Sequence, residues 1–119
     1  MANYGLFIGF GFPARGREQQ AAATFQEALQ YYGALQQRGE LESFEAAFLE
    51  PHGGDLGGFI LLRGEIAKLN RIRYEDPEFQ RILTKSQLNV ERIGVVAAQL
   101  GDQITQAMNI FMSEVANLG

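Results

Sequence analysis

The chain has 119 residues, 46% of them hydrophobic and 20% charged, with no cysteine, no tryptophan and one histidine. That length suits one domain spanning 1–119, able to bury roughly two-thirds of its unfolded surface in one core, and the apolar content argues against disorder. Without cysteine, disulfides, thiolate metal sites and cysteine nucleophiles are excluded, and a net charge of −4 opposes binding to nucleic acid, which needs a positive field.

Residues 3–12 form the first predicted strand. Tyr4, Leu6, Ile8, Phe10 and Phe12 share one parity, while Gly5, Phe7, Gly9 and Gly11 share the other. One face is therefore bulky and the other nearly bare. No basic residue precedes this apolar stretch, and it is too short to span a bilayer, so cytoplasmic residence away from the membrane is the expectation. Pro13-Ala14-Arg15-Gly16 then breaks the strand.

Residues 17–37 switch to a helical period, with Phe25, Ala28, Leu29, Tyr32 and Leu35 on one stripe and Gly39 as the stop. A second strand covers 40–50, with Phe44, Ala46 and Phe48 on one face and Ser43, Glu45, Ala47 and Leu49 on the other. The turn Pro51-His52-Gly53-Gly54-Asp55 leads into a third strand over 57–63, and the short connection favours an antiparallel hairpin. Helical spacing returns over 64–73 through Ile66, Leu69 and Ile72. Asp76-Pro77-Glu78 then supplies an N-cap, a proline at the first helical position and an acid in the first turn, so the helix restarts there. The fourth strand spans 90–98 and is apolar on both parities. Ile104, Ala107, Met108, Phe111, Val115 and Leu118 trace a final amphipathic helix over about 100–118.

The order β-α-β-β-α-β, closed by right-handed crossovers, predicts an α+β, ferredoxin-like four-stranded antiparallel sheet with both internal helices on one face and a C-terminal helix added. The other face carries Phe7, Ala47, Leu49 and the doubly apolar third and fourth strands, where an exposed antiparallel sheet would be polar. A face of that kind exceeds what a monomer leaves in water. A second copy of the chain is the simplest cover, because a two-fold pair needs only one self-complementary patch. The alternative is that the C-terminal helix folds back over the same face.

The glycine-rich strand Gly57-Gly58-Phe59-Ile60-Leu61-Leu62-Arg63-Gly64 and the turn Asp76-Pro77-Glu78-Phe79 resemble the dimeric α+β barrel superfamily. The resemblance implies a homodimer built through the open sheet face. Its members include cofactor-free monooxygenases, muconolactone-type isomerases, haem-binding relatives and many small proteins of unknown activity, so fold alone does not choose a reaction. The monooxygenases often carry an Asn, Trp and Tyr or His set in the cavity, which a chain without tryptophan does not visibly repeat. Neither a cofactor nor a metal is expected. The function expected is binding of a small apolar or aromatic metabolite, with a cofactor-independent monooxygenase or isomerase, or a structural or regulatory interaction module, as alternatives.

His52, the only side chain with an ordinary pKa near neutrality, is a candidate base, set against its place in a turn that usually faces solvent. Arg63 shares parity with Phe59 and Leu61, where its guanidinium could hold a ligand carboxylate, phenolate or enolate, or simply pair with Glu65 or a partner subunit. Asn70 could support that site, and Tyr4 could orient a polar aromatic ligand. Tyr32, on the apolar stripe, reads as core. The Gly9-Phe10-Gly11 run lacks the third glycine of a dinucleotide fingerprint and meets Pro13, so the glycines more simply admit a neighbouring backbone or a ligand. Arg15 and Arg17, at the start of the first helix, could attract an anion.

Overall fold

A computed structural model describes residues 2–119. Its strands are β1 (Tyr4–Phe10), β2 (Ser43–Phe48), β3 (Gly58–Gly64) and β4 (Gly94–Gln99), and its helices are α1 (Glu18–Gln37), α2 (Ile66–Glu75), α3 (Pro77–Asn89) and α4 (Asp102–Leu118). The strands make one antiparallel sheet in the order β2-β3-β1-β4, the ferredoxin-like arrangement. Across it Leu6 faces Leu62 and Ala97, and Ile8 faces Ile60 and Val95. This parity meets the helices: Leu6, Ile8, Ile60 and Leu62 are buried with Ala28, Tyr32, Leu35, Leu69, Ile72, Phe79 and Ile82.

The strand ends shift from their predicted positions because hydrogen-bond partners change there. Beyond Phe10, β1 leaves the sheet to run beside the α3–β4 connection, where Gly11 N donates to Glu91 O, Glu91 N to Phe12 O, and Ala14 N to Asn89 O. Val90, expected within the fourth strand, makes an isolated bridge to Pro13 instead. A Cβ at Gly11 would lie 2.8 Å from the Glu91 carbonyl oxygen, so the second glycine of the Gly-Phe-Gly run serves a close backbone crossing.

Asp76 separates α2 from α3. One carboxylate oxygen accepts the Glu78 N–H at 2.9 Å and the other accepts the Tyr31 hydroxyl at 2.7 Å, so one side chain caps α3 and ties it to α1. Lost capping and a lost charge-assisted bond together should make Asp76→Ala less stable by about 2 kcal/mol. Urea denaturation checks this, and an unchanged midpoint would contradict it. On the outer side, Glu27 of α1 pairs with Arg81 and Lys85 of α3, which hold its carboxyl below the usual range.

The face of the sheet away from the helices carries Phe7, Phe59, Leu61, Ala47 and Val96, with Phe7 and Phe59 stacked at 5.2 Å. Leu56 reaches over Gly9 and Leu100 over Gly5, so the apolar surface continues into both flanking loops. The C-terminal helix does not cover this face in cis. No residue of α4 is buried, and its apolar stripe is open along its whole length. The radius of gyration, 16.4 Å, exceeds the roughly 13–14 Å of a compact chain of this length, and the longest dimension is 54 Å. Among the described residues no helix is long and apolar enough to cross a membrane.

Candidate functional site: an apolar cavity between helices and sheet

A cavity of about 550 Å³ lies between α1, α3 and the helix-facing side of the sheet, within the size range of small-molecule sites. Small side chains on the helices line this space. Ala21, Ala28 and Thr24 on α1 and Ser86 on α3 face a sheet whose β2 and β1 ends carry Phe48 and Phe10. Phe10, Phe25 and Phe48 form an aromatic cluster in the wall, with ring centroids 4.9–6.3 Å apart. Phe12 and Phe48 are exposed, 51% and 71%, and stand at the mouth. Rings in that arrangement suit stacked or edge-on contact with another aromatic group.

Few polar groups reach this space, and most are already committed. The Thr24 hydroxyl donates to the Gln20 carbonyl at 2.8 Å and accepts from Asn89 Nδ2 at 3.0 Å, and Ser86 donates to the Ile82 carbonyl at 2.9 Å. Asn89 Oδ1 in turn accepts from Arg17 Nε at 2.7 Å. This Arg17–Asn89–Thr24 chain joins the start of α1 to the end of α3 and braces one end of the cavity. Arg17, read above as a possible anion-binding residue, thus commits its Nε to a structural bond. Glu18 is the one charged residue in the lining.

Tyr32 is the exception. It is 3% exposed and lines the cavity, yet its hydroxyl makes no hydrogen bond to any described residue. No occluded side-chain polar atom among the described residues lacks a partner, so that hydroxyl is not sealed from solvent. Burial pushes the phenol pKa up, which keeps it a neutral donor. Tyr31, beside it at 5.3 Å, is also pushed up, by burial and by the Asp76 carboxylate.

The residues singled out from the sequence are not brought together. His52 is exposed and closes its own turn: Nδ1 accepts from Gly54 N at 3.2 Å, and Nε2 lies 2.8 Å from the Leu56 carbonyl. Arg63 lies on the open sheet face and pairs with Glu45 at 2.8 Å, rather than with Glu65. Tyr4 borders a separate depression with Asn3, Glu42 and Ile66, and Asn70 is exposed on α2. None of the four lines the cavity. The brace was missed, although two polar residues mark it: Thr24 and Asn89 each sit in phase with the apolar residues of their helix. Among the described residues no cluster of three or more His, Asp or Glu side chains could hold a metal ion.

No protein-family model matches the sequence, and no curated protein matches it. Solved structures do match in fold. A dabb family protein with a ferredoxin-like fold from Mesorhizobium loti is 14% identical with a TM-score of 0.62, covering 85% of this chain and 100% of its own. A dimeric ferredoxin-like protein of unknown function from Thermobifida fusca is 14% identical, TM-score 0.62, covering 84% and 93%. A hydroxynitrile lyase from Passiflora edulis is 15% identical, TM-score 0.61, covering 85% and 96%. The chain therefore has a ferredoxin-like fold, as its element order implied.

Proposed function

We propose that this chain is a homodimeric α+β barrel protein that binds a small, neutral, apolar or aromatic metabolite in the cavity between α1, α3 and the sheet. One observation carries the reading: an aromatic-walled cavity of about 550 Å³, lined by Phe10, Phe25, Phe48 and Tyr32, in which few polar groups are left uncommitted. A ligand carbonyl or ether oxygen would accept from Tyr32 while its ring contacts Phe10, Phe25 and Phe48. The lining holds no cation, and Glu18 adds negative charge, so carboxylate ligands are disfavoured. The homodimer would form through the open sheet face, a reading supported by its apolar residues and by dimeric neighbours of the same fold.

The fold also serves a lyase, which keeps a cofactor-independent reaction, such as that of a monooxygenase or isomerase, in view. Such chemistry would have to draw its base from Glu18, since Thr24 and Ser86 are committed and Tyr32 holds its proton. Binding is the reading the site supports best.

Thermal-shift screening tests it. A ligand at ten times its Kd adds about 1.4 kcal/mol, a rise of several degrees for a chain of this size. Neutral aromatic ketones should give that rise and the corresponding aromatic acids should not. Arg63→Ala and His52→Ala should respond as the parent chain does. Equal shifts with acids, or loss of the shift in Arg63→Ala, would contradict the proposal.

A further inference from the structure

We infer that α4 is an arm that seats on a second copy of this chain, extending the subunit contact made by the open sheet face; the inference rests on that reading of the face. Ile104, Met108, Phe111, Val115 and Leu118 recur at steps of four, three, four and three, the spacing of a coiled-coil seam. All five are between 44% and 88% exposed, and no described residue buries them. A helix whose apolar stripe buries nothing gains no tertiary support, and propensity alone holds a helix of this length only marginally.

Size and charge point to the occupant. A 17-residue helix is about 25 Å long and 10 Å across, so one side offers an outline of about 250 Å². A stable interface takes about 800 Å² from each partner. A contact of standard size therefore extends beyond the arm. The contact at its root is the open sheet face: Leu100, two residues before the helix begins, reaches over Gly5 beside Leu61. A molecule seated on that face meets the arm at once, and the subunit proposed to sit there is a second copy. The only charged residues on α4 are Asp102 and Glu114, so an anionic membrane surface and nucleic acid are repelled.

Sedimentation equilibrium on three full-length proteins tests the inference: the parent chain, the α4 variant Met108→Glu/Phe111→Glu, and the open-face variant Phe59→Glu. The α4 variant should weaken self-association at least tenfold, with native-like circular dichroism outside the arm, because α4 contributes nothing to the core. Hydrogen exchange over 102–118 should be slow in the parent dimer and fast in Phe59→Glu. Parent-like association of the α4 variant would overturn the inference while leaving the sheet-face reading intact. Loss of association in the α4 variant, with Phe59→Glu still dimeric, would overturn the sheet-face reading and keep the arm. Co-sedimentation of the parent chain with vesicles of phosphatidylcholine and phosphatidylglycerol, with self-association unaffected by the α4 substitutions, would overturn the arm's assignment in favour of lipid.

Discussion

Replacing Phe59 by glutamate is expected to raise the dissociation constant of the proposed dimer at least a hundredfold while leaving the subunit folded. Phe59 stands on β3 opposite Gly9 and Ala47 and stacks on Phe7, near the middle of the open face. Its ring points away from the core, so the monomer loses one stacking contact, worth about 1 kcal/mol. The dimer loses much more. A carboxylate forced into an apolar contact costs several kcal/mol, and two-fold symmetry introduces it twice. Each 1.4 kcal/mol is tenfold in affinity, so two such penalties carry the effect beyond a hundredfold. Arg63 and Glu45 lie on the same face but satisfy each other, so Arg63 is not free to neutralise the new charge.

The second large effect concerns the cavity. Ser86→Leu should cut affinity for a neutral aromatic ligand by at least tenfold without destabilising the fold. Ser86 spends its hydroxyl on its own helix, so its loss breaks no contact between elements, and leucine is the better helix former. Its added methyl groups would occupy the space a ligand needs. Tyr32→Phe removes only the hydroxyl and keeps the ring beside Phe44. It should lose about tenfold in affinity for ligands bearing an acceptor, and almost nothing for plain hydrocarbons of the same shape. That difference separates a hydrogen bond from a change in packing.

The element order was legible because two periods run through the chain without interference. Leu6 and Ile8 alternate with Phe7 and Gly9, and Phe25 to Leu35 repeat at helical spacing, so sheet parity and helix stripe could each be read locally. Asp76-Pro77 marked the break between α2 and α3 for the same reason: cap chemistry acts over a few residues. The apolar character of the open face was also readable, since it follows from parity alone.

What local patterns do not carry is distance between elements. The α4 stripe was plain, but whether it turned back onto the sheet depended on the turn at Gly101, where φ is +51° and the helix leaves the body. Arg63 was placed on the right face, yet its pairing with Glu45 depends on the β2–β3 register. The cavity is a gap between layers, and no local pattern places Tyr32 in its wall. Thr24 and Asn89 lie 65 residues apart and gain meaning only as a pair. His52 drew attention as the sole histidine, a matter of composition, and its hydrogen bonds are those of a turn.

The most direct test of the functional reading is a fluorescence titration with N-phenyl-1-naphthylamine, a neutral aromatic probe, on the parent chain and on Ser86→Leu. The cavity predicts saturable binding at one probe per chain, displaced by neutral aromatic ketones and weakened at least tenfold in Ser86→Leu. Binding that does not saturate, or that is the same in both proteins, would contradict it.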